Sequence, residues 1–376
     1  MLSKLYGNRM NIENVNDVEI YRIAAGVLSE ITHDFNGGIY AKLGGNLNFS
    51  WVDKKMVTAW AESKGNPDSP PNHEIILSYE LARQVYRDIE GYYEFAASAL
   101  LEEPMITIFN SFNPKPQLPD FDKKAIITNM YLGAITWVFF HELGHLTQEH
   151  GYIRSIFGKG EPKTRIEDCE SDGEKKLEGK AATISHVTEL AADVYATYSC
   201  IMELIRHFSP EQLDDVNEES KKLFQGNLYL MVCGISCIFY RFNGERLLEP
   251  HEEPIGSHPT PIRRLELCIP NIFERLDVNG TGHKLHGMDR SVLVNLCIGA
   301  AESVGFFWLW PYIHPDAIPE HFFVKGVLQD PYKTSYWKEI IESWDEIKVE
   351  INKIKRFGNE RGLLFFTDEL RDEVFS

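Results

Sequence analysis

The stretch from Met130 to His150, MYLGAITWVFFHELGHLTQEH, constrains this chain more than any other. Ile135, Trp137, Val138, Phe139 and Phe140 are apolar on every side of a helix, so the turns they form must be buried. His141-Glu142-Leu143-Gly144-His145 follows without a break. Residues four apart share a helix face, so His141 and His145 can aim both imidazoles at one point. Polar groups that continue a buried run need partners, because an unpaired one costs several kcal/mol. Zinc meets that need: it accepts imidazole nitrogen and, in catalytic sites, keeps one position open for water. Glu142 projects about 100° round the helix from His141, so it can reach such a water without being a ligand. That water's pKa falls to roughly 7, and a neighbouring carboxylate can take its proton.

Two histidines leave a catalytic zinc short of the three protein ligands it usually has. A third histidine six residues after His145 would complete the metzincin pattern, but that position is Gly151, and His150 misses it by one place. A glutamate nineteen residues on would give an aminopeptidase-like spacing, but that position is Thr164. Glu189, in His186-Val187-Thr188-Glu189-Leu190-Ala191-Ala192-Asp193, is the remaining strong candidate. Its alanine neighbours permit close packing against the first helix. Asp193 lies one turn further on the same face, where its carboxylate can take the far N–H of a ligand histidine and fix the tautomer.

The HELGH segment matches the H-E-x-x-H pattern of zinc metallopeptidases. Together with Glu189-Leu190-Ala191-Ala192-Asp193 it resembles the gluzincin arrangement of the Ste24/HtpX-type (M48-like) metallopeptidases. Those families also tend to carry a downstream H-P-x-x-x-x-R segment, which His258-Pro259-Thr260-Pro261-Ile262-Arg263-Arg264 matches, with Arg264 in register. The resemblance implies that His141, His145 and Glu189 bind Zn2+, that Glu142 is the general base, and that Asp193 orients a ligand histidine. It also implies that Arg264, with His258, sits near the cleft to steady the site or a developing oxyanion. The resemblance spans three short segments between His141 and Arg264. A looser one is to the U49-type phage-exclusion peptidases.

Composition narrows the partners. A net charge of −18 argues against a nucleic-acid backbone, which needs a basic surface. Six cysteines in 376 residues are too sparse for a disulfide framework and suggest a reducing, cytoplasmic setting. The N-terminus has no apolar core of a secretory signal. Leu228 to Tyr240 is too short to span a bilayer, and Val292 to Ile313 carries Asn295, Glu302 and Pro311, which favour a buried helix and turn over a membrane span.

Along the chain, periodicity predicts a helix over Val18 to Ile31, then Gly37-Gly38 and Gly44-Gly45 in a connector. Strands follow within Asn46 to Ala61, a turn-rich loop over Lys64 to Asn72, and a strand over Glu74 to Ser78. Such a strand, if it lies at a sheet edge, can pair with an extended peptide substrate. Helices are expected from Tyr79 to about Leu101, Asp122 to His150, Ala181 to His207, Leu223 to Phe242, after Pro261, and Tyr336 to Arg356. Ser209-Pro210 reads as a helix start, and the charged stretch Lys159 to Lys180 as an exposed loop. The expected fold is α+β and mostly helical: a zincin-like core at 73–275, an N-terminal extension at 1–72 and a C-terminal helical region at 276–376. The function expected of it is zinc-dependent hydrolysis of a protein or peptide substrate. A metal-dependent hydrolase of a non-peptide amide and a helical partner-binding protein with an incidental motif are the alternatives.

Overall fold

A computed structural model describes residues 16–99, 118–158, 165–167, 177–208, 218–244, 254–278, 288–309, 333–356 and 362–376. The expectations for Ser209-Pro210, most of the charged stretch after Lys159, and Pro311 lie outside them. In order, the elements are α1 (Asp17–Phe35), β1 (Asn46–Val52), β2 (Ala59–Ser63), β3 (Asn72–Ser78), α2 (Tyr79–Ala99), α3 (Lys123–Thr147), α4 (His150–Phe157) and β4 (Arg165–Glu167). α5 (Gly179–Phe208), α6 (Glu218–Asn243), α7 (Pro261–Val278), α8 (Arg290–Leu309), α9 (Lys333–Ile354) and α10 (Asp368–Phe375) follow. The protein is thus mostly helical with a small mixed sheet, an α+β arrangement.

α3 is the centre of the fold. Asp122 caps its first turn by accepting from the Ala125 amide, as a short acidic side chain at that position does. From Ala134 to Thr147 every residue of α3 is buried, as its all-round apolar sequence requires. Full burial of each large apolar side chain there, such as Phe139, contributes about 1.5–3 kcal/mol. Two glycines allow the close crossings. A Cβ on Gly144 would lie 3.1 Å from the Ala192 Cα, so α5 would have to give by a few tenths of an ångström to admit a side chain at the HELGH turn. A Cβ on Gly234 of α6 would lie 2.2 Å from the Met130 carbonyl oxygen, which admits nothing but glycine.

The sheet order is β1-β3-β2-β4, with β1 parallel to β3, and β2 antiparallel to both β3 and β4. Glu74 to Ser78 therefore lies in an interior strand with a neighbour on each side, and cannot be the edge that accepts a peptide. Ile75, Ile76 and Leu77 are all buried, the mark of a strand covered on both faces. Among the described residues, β4 is paired on one side only.

Three further expectations change. The α3 helix does not run to His150: it stops at Thr147, and α4 starts at His150 after Glu149 takes a left-handed conformation (φ 53°, ψ 40°). Glu149 is held there by Arg356, which also donates to the Ser69 and Asn66 carbonyls. Arg165–Glu167 is a strand within the stretch expected to be loop, with Ile166 buried. Gly37-Gly38 lies in a π-helical turn, Asn36–Tyr40, that extends α1.

One hydrophobic core joins α1, the sheet, α2, α3, α6, α7 and α8. A second joins α9 and α10 to the opposite side of α5, where Trp337 and Trp344 are fully buried. α6 is longer than the apolar stretch it contains, and both α6 and α8 are long and apolar enough to cross a membrane. In this fold, 83% and 61% of their apolar windows are buried against the rest of the chain.

Candidate metal centre

α3 and α5 meet at the HELGH turn and bring the expected residues together. Among the described residues, His141, His145 and Glu189 form a group of metal-ligating side chains whose donor atoms all lie within 4.8 Å of one another. The Nε2 atoms of the two histidines are 3.1 Å apart. Glu189 Oε2 is 3.3 Å from His141 Nε2, and Oε1 is 3.4 Å from His145 Nε2. Donor atoms about 2.0–2.1 Å from one ion in a tetrahedral array stand roughly 3.3 Å apart, close to each of these separations, with the two Glu189 contacts made by different oxygens. Glu189 Oε2 is buried and accepts no hydrogen bond among the described residues. A buried carboxylate oxygen in that condition is one that a cation satisfies. The donor set, two imidazoles and a carboxylate, suits zinc but does not by itself specify it.

The far sides of the two imidazoles are also occupied. His141 Nδ1 lies 2.9 Å from Asp193 Oδ1, so the structure brings Asp193 to the face of His141 away from Glu189. Trp137 stacks on the His141 ring at 5.4 Å and is fixed by donating to Thr197 Oγ1. His145 Nδ1 lies 2.9 Å from His150 Nδ1. Burial lowers the His145 pKa to about 4 and pushes that of His150 well below its ordinary value, so both rings are neutral.

Arg264, carried by α7, reaches the site through Asp193, to which it donates two hydrogen bonds of 2.8 Å. Its Nη2 also lies 3.4 Å from Glu189 Oε2. Burial alone would raise the Asp193 carboxyl, but Arg264 holds it below its ordinary value. His258 Nε2 stands 3.5 Å from Glu189 Oε1, while its Nδ1 is 2.7 Å from Ser257 Oγ. Burial would likewise raise Glu189; His258 and His145 beside it hold it well below the carboxylate range. Glu142 is fully buried next to His141.

α4 supplies what motif reading did not find. Besides His150, it brings Arg154, whose Nη2 donates to Glu189 Oε1 at 2.6 Å and whose Nε donates to Thr188 Oγ1 at 2.7 Å. The i, i+4 spacing of His150 and Arg154 places both on one face of a helix, but the break at Glu149 had to be known before that face could be assigned.

A cleft of about 220 Å³ reaches His145 between the sheet and α4, lined by Ala61, Ser63, Pro67, Tyr152 and Ile166 among others. A larger cavity, about 570 Å³ and bordered by Asn129, Thr136, Leu204 and Met231, contains none of the site residues. No protein-family model, no curated protein and no solved structure matches this chain. The geometry by itself defines a buried His-His-Glu group able to hold a metal ion.

Proposed function

We propose that the chain is a zinc-dependent peptidase of the gluzincin type, built on a zincin-like core, with His141, His145 and Glu189 as ligands and Glu142 as general base. The observation that carries this reading is the spacing of the three donor groups, with Glu189 Oε2 buried and accepting no hydrogen bond. The placement of Asp193 on His141 supports it, since it matches the role the resemblance gives Asp193, and Arg264 stands beside the site through its bonds to Asp193.

Zinc bound there would supply Lewis acidity and a water acidic enough to attack at neutral pH. Glu142 takes the proton of the attacking water as it adds to the scissile carbonyl carbon, then gives it to the leaving amine nitrogen. Asp193 and His150 keep the two imidazoles in the tautomer that turns Nε2 inward. Arg264, committed to Asp193, acts by fixing that carboxylate. The cleft beside His145 is the approach for a substrate, and β4 is the strand edge nearest to it, through Ile166.

Substituting Glu142→Gln removes the base and leaves the three ligands. The expected result is unchanged zinc stoichiometry with hydrolysis of a peptide library reduced by about 10²–10⁴-fold. Full activity in this variant rules the mechanism out. One observation favours a second reading, a hydrolase of a small non-peptide amide: the three ligands are at most 1% exposed and the cleft beside them is small. Zinc bound at one per chain with no cleavage anywhere in the library selects that reading.

A further inference from the structure

α4 lies across the carboxylate ligand, and its arginine is fastened on two sides. Arg154 Nε donates to Thr188 Oγ1, and Nη2 donates to Glu189 Oε1, with the Ser185 carbonyl at 3.5 Å from the same nitrogen. Thr188 Oγ1 is itself set by the backbone of α5, bonding to the Ile184 and Ser185 carbonyls at 2.9 and 2.8 Å. The guanidinium is therefore placed by a fixed turn of the helix that carries Glu189, while α4 is swung back onto α5 by the left-handed residue Glu149. Only 15% of the Arg154 side chain is exposed, so its bond to Glu189 is weakly screened.

The two oxygens of Glu189 consequently differ. Oε1 accepts a charge-assisted hydrogen bond from Arg154 at 2.6 Å, whereas Oε2 accepts none among the described residues and lies 3.3 Å from His141 Nε2. A carboxylate free at both oxygens can close on a metal ion through both and fill a position that a catalytic site leaves open. We infer that Arg154 is a positioning residue that holds Oε1 and leaves Oε2 alone for the metal, so that Glu189 binds through one oxygen. The inference rests on the metal-site reading above. It assigns to Arg154 a role that belongs neither to a ligand nor to a group that touches substrate.

The test uses the full chain, Zn2+ affinity by competition with a chromophoric chelator, and the visible spectrum of the Co2+-loaded protein. Four-coordinate Co2+ absorbs more strongly than five- or six-coordinate Co2+. In Arg154→Ala, Zn2+ affinity is expected to fall by about 10–100-fold, the usual effect of losing a residue that orients a ligand. Its Co2+ absorption should weaken as Glu189 closes through both oxygens. Arg154→Lys keeps the charge without the planar fork, and should regain affinity while keeping the weakened spectrum. Thr188→Val unfastens the guanidinium and leaves Glu189 and Arg154 in place, so it should weaken the spectrum in the same direction even if Arg154→Ala does not fold. An unchanged spectrum in both Arg154→Lys and Thr188→Val, or tighter Zn2+ binding in Arg154→Ala, overturns the inference and leaves the metal site standing. Wild-type protein that takes up neither ion overturns the metal site itself, and the role of Arg154 with it.

Discussion

Arg264 and Asp193 form a two-pronged ion pair inside the protein, Nε to Oδ2 and Nη2 to Oδ1, each at 2.8 Å. The same Oδ1 lies 2.9 Å from His141 Nδ1, so an arginine on α7 reaches a candidate metal ligand on α3 through a carboxylate on α5. Such a pair adds little net stability when intact, but breaking it strands a buried charge at a cost of about 3–5 kcal/mol. Arg264→Leu is expected to lower unfolding stability by that amount in urea titrations. The double variant Arg264→Leu/Asp193→Leu removes both charges and should recover part of the loss, while Zn2+ affinity stays at least 10-fold below wild type because His141 has lost its acceptor. Wild-type affinity in the double variant would show that Asp193 does not orient His141.

His150 and His145 pose a tautomer question with one consistent answer. Both rings are neutral, and their Nδ1 atoms are 2.9 Å apart, so one of the two carries the shared proton. His145 Nε2 faces His141 and Glu189, which puts the proton on His145 Nδ1, donating to His150. His150→Phe removes that acceptor at similar volume and should weaken Zn2+ binding by about 10–100-fold in a chelator competition. His150→Asn offers a carbonyl oxygen and should restore part of it. Equal affinities for all three proteins would mean that the His145 tautomer is set from elsewhere.

What the sequence made legible, and what it did not, follows from the range of the interactions involved. HELGH and ELAAD could be read because each is a local helix pattern, and Gly144 against Ala192 explains why small residues accompany them. The interior position of β3 also had a signal in the unbroken run Ile75-Ile76-Leu77, which reads as a strand covered on both faces. The break after Thr147 had none. A left-handed glutamate costs energy locally, and Glu149 adopts that conformation where Arg356, 207 positions away, binds its carboxylate. Because that break sets the direction of α4, the placement of His150 and Arg154 beside His145 and Glu189 was hidden with it.

His186 gives the fold a dependence on pH of its own. It bridges α5, α9 and residue 255: Tyr336 Oη donates to its Nδ1 at 3.0 Å, and its Nε2 donates to the Ile255 carbonyl at 3.3 Å. Burial, with His258 nearby, lowers its pKa to about 3, against about 6.5 in an unfolded chain. Between those values the unfolded state binds the proton and the folded state refuses it, so stability falls as pH drops below about 6.5 and keeps falling toward pH 3. One such histidine contributes a slope of up to about 1.4 kcal/mol per pH unit. His73, likewise lowered to about 3 by burial, acts in the same direction. His186→Gln keeps a donor for Ile255 but cannot titrate, so its loss of stability between pH 7.5 and pH 5 should be smaller than that of wild type by about 1–2 kcal/mol. Urea unfolding at the two pH values measures the difference directly. Equal losses in the two proteins would assign the acid sensitivity to other groups, with His73→Gln as the next variant to compare.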